Sequence, residues 1–132
     1  MPAQLSGGCM CGQFRYELHE AAKFALHCQC RDCQHITGTG HSVLVGAATT
    51  STTLTGASAS YEYKASSGGE MSSHFCPRCG SPLFKTTTRQ PALYFFHAGS
   101  LDDPSQVKPT RVVWARSSQP WDTMNSTLPI AQ

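Results

Sequence analysis

Seven cysteines stand in three tight groups in a chain of 132 residues: Cys9-Met-Cys11, Cys28-Gln-Cys30-Arg-Asp-Cys33 and Cys76-Pro-Arg-Cys79. An odd set cannot close entirely into disulfides within one chain. It can divide into four ligands that close one metal site and three that leave another open. A closed four-thiolate zinc site holds a fold together, whereas a three-ligand site keeps one position for water or substrate.

Each group has a local reason to gather sulfur. In Cys76-Pro-Arg-Cys79-Gly80, Pro77 sets the turn and Gly80 permits the positive φ that aims N–H groups at sulfur. Cys9 and Cys11 share one face of an extended chain, because alternate residues do. Cys28, Cys30 and Cys33 fit a single irregular loop wrapped around one ion. Spacing alone leaves other divisions open. Cys9, Cys11, Cys28 and Cys30 could share an ion and leave Cys33 spare. A CxxC pair could be a redox couple, although no βαβ pattern surrounds either. An iron–sulfur cluster lacks its usual spacings.

Proton carriers are few. His35 lies two residues after Cys33 and is the first candidate, with His41 next. His27 and His97 end strands and are read as structural. Asp32 reads as a cap of the turn that holds Cys33. Phe14, Tyr94, Phe95, Phe96 and Trp114 read as core, and Trp121 as a cover for a pocket or an anchor for the tail.

The elements that must position these groups are mostly strands. Apolar–polar alternation predicts strands over Gln13–Leu18 and Ser60–Lys64, and Met71–Phe75 reads as a strand running into the third cluster. Phe24–His27, Ser42–Val45, Leu54, Pro82–Lys85, Leu93–His97 and Arg111–Trp114 read the same way. Leu93–His97 is the most apolar and is expected to be central; it is also the candidate for pairing across a homodimer. Helical signals are confined to single turns at Asp32–Thr37 and Asp102–Ser105. The fold class is mainly β, with a single domain expected over residues 1–132.

Composition narrows the function classes. The formal charge is +2, and seven thiolates on two Zn²⁺ would leave it near zero, which argues against a nucleic-acid partner. The apolar stretch around Val43–Ala48 is too short to span a bilayer. The N-terminal residues carry neither the basic nor the apolar region of an export signal. A reducing cytoplasm is therefore expected, where clustered thiols read as metal ligands.

The motifs occur in a recognisable order. Gly8-Cys-Met-Cys-Gly12, His27-Cys-Gln-Cys-Arg-Asp-Cys33, Thr37-Gly38, Phe75-Cys-Pro-Arg-Cys-Gly-Ser-Pro-Leu83 and Ala98-Gly-Ser-Leu-Asp-Asp-Pro104 are followed by Lys108-Pro109 and Gln119-Pro-Trp121. This set resembles the glutathione-dependent formaldehyde-activating enzyme family, which includes the centromere protein V domain, over about residues 5–128. The chain differs from the common pattern at Gln29 and Val112, where His is frequent. The resemblance implies an Mss4-like fold of antiparallel sheets with a zinc-ribbon element. It implies two Zn²⁺ per chain: a structural ion on Cys9, Cys11, Cys76 and Cys79, and a reactive one on Cys28, Cys30 and Cys33. It further implies a carbon–sulfur lyase that joins or cleaves a small-molecule thiol such as glutathione and an aldehyde such as formaldehyde. The competing reading is a non-catalytic, zinc-stabilised binding module or a thiol and zinc sensor.

Overall fold

A computed structural model describes residues 4–124 and 127–132. Ten strands follow in chain order: β1 (Leu5–Gly8), β2 (Arg15–Leu18), β3 (Phe24–Cys28), β4 (Ser42–Ala48), β5 (Thr52–Thr55), β6 (Ala59–Lys64), β7 (Glu70–Phe75), β8 (Pro82–Thr87), β9 (Leu93–His97) and β10 (Val112–Val113). One α-helix, α1 (Arg31–Thr37), interrupts them between β3 and β4. The expected mainly β class is what the chain adopts. The turn expected at Asp102–Ser105 is a short 3₁₀ turn at Pro104–Gln106, with Asp103 capping the Ser105 N–H.

The strands form two sheets. A small one has the order β1-β2-β5, and a larger one the order β10-β3-β4-β9-β8-β7-β6. All pairings are antiparallel except that of β10 with β3, which is parallel. The apolar strand β9 is central as expected. It has β4 on one edge and β8 on the other, so its backbone has no edge left for a second copy. The strand that ends the large sheet on that side is β6.

Register decides what each face carries, because residues directly opposite across a ladder point the same way. Val45 lies opposite Ala25 and Phe96, and Phe96 opposite Phe84. This face packs on the small sheet, where Tyr16 and Leu18 alternate with the exposed Glu17. Tyr16 stacks on Phe96 at 4.0 Å between ring centroids and is fully buried. These residues belong to the main core, which also contains Cys9 and Cys76. The other face carries Leu26 opposite Leu44, Cys28 opposite Ser42, and Lys85 opposite both Phe95 and Ser73. A second, smaller core of Leu26, Leu44, Cys28 and Cys33 lies there, flanked by Phe95 and Trp114. The two cysteine clusters therefore belong to opposite faces of one sheet.

Candidate metal centres and the cleft beside the cysteine triplet

The first cluster joins two turns. Cys9 and Cys11 lie between β1 and β2, and Cys76 and Cys79 between β7 and β8. Gly12 and Gly80 each take a positive φ (83° and 77°), which lets Gly12 donate back to the Cys9 carbonyl and Gly80 to that of Cys76. The tight CxxC turn aims the N–H groups of Arg78 and Cys79 at Cys76 Sγ, while Phe14 N–H donates to Cys9 Sγ. Gln13 Nε2 gives Cys76 Sγ a further bond at 3.2 Å. The turns are tied directly by Met10 N–H donating to Ser81 Oγ at 3.0 Å. Bonds from the Ser81 hydroxyl and N–H hold the Cys79 thiol down to about 5. Donors of this kind stabilise thiolate, the form that binds metal.

All four sulfurs lie within 4.8 Å of one another. Cys9 and Cys11 are 3.5 Å apart, and Cys11 and Cys76 are 3.7 Å apart. A tetrahedral ion with metal–sulfur bonds of about 2.3 Å spaces its sulfurs by about 3.8 Å. The four thiols are thus gathered closely enough to close around one ion.

The second cluster is built by one chain reversal. Cys28 ends β3, Cys30 is the N-cap of α1, and Cys33 lies in its first turn. Cys30 Sγ, not Asp32, accepts the capping bond, from Cys33 N–H at 3.3 Å. The reversal is clamped by buried amides. Gln34 Nε2 donates to the carbonyls of Gln29 and Ser117, and Gln29 Nε2 donates to Asp122 Oδ2. His41 Nδ1 contacts both oxygens of that same carboxylate at 3.0 Å. Gly40 makes this possible: a Cβ there would stand 2.2 Å from Asp122 Cγ. Gln29, at a position where His is frequent, therefore anchors the tail to the loop. The three sulfurs lie within 4.8 Å of one another and apart from the first four. That geometry removes the division in which Cys28 and Cys30 join Cys9 and Cys11.

Charge enters from across the sheet. Lys85 is only 5% exposed and donates to Cys33 Sγ at 3.1 Å. Bonds from the Cys28 and Cys30 thiols, joined by the Lys85 ammonium, hold Cys33 far below the ordinary thiol value. Hydrogen bonds with Cys30 and Cys33, followed by burial, push Cys28 far above it. Burial works against the charge on Lys85, but the Cys33 thiolate outweighs it, and the amine stays protonated. An inward-facing strand lysine is costly unless paired, and this one has its partner 52 residues away in sequence.

A cleft of about 610 Å³ opens beside the triplet, lined by Cys28, Cys30, Tyr63, Lys85, Phe95 and Trp114 among others. Trp114 takes φ 59° with Arg116 stacked over its ring at 5.3 Å. A bulky residue at positive φ is strained, and here it turns the indole into the cleft wall. The Tyr63 hydroxyl is buried and has no partner among the described residues. His35 is not brought to this cleft. It is exposed, lies 3.5 Å from Arg31 and lines an adjoining hollow with Ile36 and Tyr61, which shares Asp32 and Tyr63 with the cleft. Two helical steps from Cys33 turn a side chain about 200° around the axis, which carries His35 away from the sulfur. His97 is buried and its Nε2 has no partner among the described residues. His27 packs edge-on against His41 at 5.1 Å. Trp121 is mostly exposed.

Sequence reasoning did not single out Tyr63, Lys85 or the role of Trp114. A lysine in phase with buried positions of a strand was the one available signal.

Fold and clusters together define a β-rich domain with two thiol sites, one of four donors and one of three, on opposite faces of a sheet. A family model described as glutathione-dependent formaldehyde-activating enzyme matches residues 4–117, and the chain belongs to that family. Its structure is similar to the crystal structure of a Rhodobacter sphaeroides protein, a Northeast Structural Genomics target. The TM-score is 0.59 and the identity 20%, over 76% of this chain and 93% of that one. At that identity the likeness bears on the fold. No match to the sequence is found among curated proteins. No helix among the described residues is long and apolar enough to cross a membrane.

Proposed function

We propose that the protein is a zinc-dependent carbon–sulfur lyase acting on a glutathione-like thiol and a formaldehyde-like aldehyde at Cys28, Cys30 and Cys33. One observation carries the reading. Three sulfurs gather beside an open cleft while four others are already sufficient to close a separate site. Thiolate donors suit zinc over harder ions. Cys9, Cys11, Cys76 and Cys79 would hold a structural ion. Cys28, Cys30 and Cys33 would hold the other and leave its fourth position for substrate. Zinc there supplies one chemical service: it keeps a substrate thiol as thiolate near neutral pH.

The chain's own residues supply the rest. Lys85 adds a buried positive charge beside three thiolates. With it, three thiolates and one divalent ion sum to neutrality, and an arriving anionic thiolate is not repelled by net charge. Trp114 and Phe95 give the cleft an apolar wall that limits water near a reactive aldehyde. The forward reaction forms one carbon–sulfur bond and moves the thiol proton to the carbonyl oxygen; the reverse undoes both.

The test is direct. Zinc-loaded protein is mixed with glutathione and formaldehyde, and adduct formation is followed against buffer by NMR. Acceleration over buffer is expected. An unchanged rate, with the triplet site verified to be occupied, would rule out this substrate pair.

A further inference from the structure

The cleft beside the triplet contains two proton-bearing groups that no metal ligation uses. Tyr63 and Lys85 come from different strands, β6 and β8, with β7 between them. Tyr63 lies opposite Met71, and Met71 opposite Thr87; Lys85 lies opposite Ser73, and Ser73 opposite Tyr61. Positions two apart share a face, so Tyr63 and Lys85 project from the same side of the sheet as Cys28. Both line the cleft.

Their states suit donation. The ammonium of Lys85 spends one of its three N–H bonds on Cys33 Sγ. The Tyr63 hydroxyl is shut away from solvent and unpartnered among the described residues. Burial, ahead of every charge near it, pushes Tyr63 up to about 12, so the phenol is a neutral donor at physiological pH. A buried hydroxyl without a partner costs stability. A chain keeps that cost without return unless something else occupies the cleft. The phenol keeps its proton among charges of both signs, Lys85 against Cys33, Asp32 and Cys30, so it has a proton to give and the partner it lacks is an acceptor.

We propose that Tyr63 and Lys85 form the donor pair for the carbonyl oxygen of the aldehyde, with Tyr63 as a catalytic acid and Lys85 as an electrostatic clamp. This rests on the thiol–aldehyde reading given above. As sulfur attacks, the carbon–sulfur bond forms and the carbonyl π pair moves onto oxygen. That oxygen takes the Tyr63 proton. The thiol has already given one proton to water, and water entering the cleft as the product leaves returns one to Tyr63, so the sum is thiol plus aldehyde giving hemithioacetal. In reverse, Tyr63 as phenolate removes the hydroxyl proton and the carbon–sulfur bond breaks. Donors aimed at a developing oxyanion typically matter by about 10²–10³ in rate.

Two measurements test the pair, and they fail independently. The first is steady-state kinetics of adduct formation by zinc-loaded Tyr63→Phe protein. The expected result is a kcat loss of about 100-fold, with KM for glutathione within about twofold, since phenylalanine fills the same space. Its thermal midpoint should equal or exceed that of the wild type, because the lost hydroxyl had no partner. The second needs no turnover. In a Trp121→Phe background the indole in the cleft wall, Trp114, is the sole reporter. Formate, a carboxylate of the aldehyde's size, is titrated into zinc-loaded protein and followed by tryptophan fluorescence. Affinity should fall about tenfold or more in Lys85→Met and several-fold in Tyr63→Phe, as loss of hydrogen bonds to an anion requires. Formate affinity within twofold of wild type in both variants would overturn the donor pair. So would an unchanged kcat in Tyr63→Phe. If the wild type forms no adduct at all, the substrate reading falls, while the formate titration still decides whether the cleft holds an oxyanion site.

Discussion

Lys85, Cys33 and His97 form a set in which burial and charge decide every proton. His97 is held neutral, down to about 4, first by burial and then by the positive charge of Lys85. The sign of the consequence is fixed. The unfolded chain binds a proton at the ordinary value of about 6.5 and the folded chain resists it, so stability is complete above that value and is lost as pH falls toward 4. The size of the effect is on the order of 3 kcal/mol. Chemical denaturation between pH 7 and 4 should therefore show a steeper loss in the wild type than in His97→Gln. Parallel losses would contradict the placement of a neutral imidazole there. None of this was legible in the sequence, where His97 reads as the end of an apolar strand. Its neighbours come from β8 and α1, and no local pattern encodes them. The cysteines are the opposite case. Their spacing is itself local geometry, so both ligand groups could be read before any fold was known.

At the scale of elements, alternation made β2 and β6 readable and short apolar runs most of the others; β2 buries one face in the core, while β6 is largely exposed. The exceptions are instructive. Leu5–Gly8 was not expected as a strand, since its two glycines have little β-propensity. Pairing with β2 imposes it, and Gly7 is needed there because a Cβ would stand 2.4 Å from the Ser100 carbonyl oxygen. The strand expected over Arg111–Trp114 shortens to Val112–Val113, because Trp114 leaves the ladder at positive φ to face the cleft. The alternation in β8 is broken by a register shift between His74 and Phe75, which accompanies burial of the consecutive Leu83 and Phe84. A central contact between the sheets is the stack of Tyr16 on Phe96, within a core that also includes Leu5 and Leu18. Tyr16→Ala should cost about 3–5 kcal/mol, as large-to-small changes of buried aromatics do, and should remove the bond between its hydroxyl and Ser100 Oγ, which keeps its own to the His97 carbonyl. Equilibrium urea unfolding measures this; a cost under about 1 kcal/mol would mean that the sheets are held mainly elsewhere.

Across the whole molecule the seven-stranded sheet separates the two thiol clusters, and with them the two roles proposed above. On one side, Cys9, Cys11, Cys76 and Cys79 tie the N-terminal turn to the β7–β8 turn within the main core. On the other, the triplet meets the cleft within a smaller core. Loss of the first site should unfold the domain, because structural zinc contributes its binding free energy to folding. Loss of the second should silence the proposed chemistry and leave the fold. The most direct measurement is zinc per chain by elemental analysis of fully loaded protein, made on wild type, Cys30→Ser and Cys79→Ser alongside their thermal melts. The division predicts two zinc ions in the wild type, one in a still cooperative Cys30→Ser, and an unfolded or strongly destabilised Cys79→Ser. One zinc in the wild type, or two variants that melt alike, would contradict it.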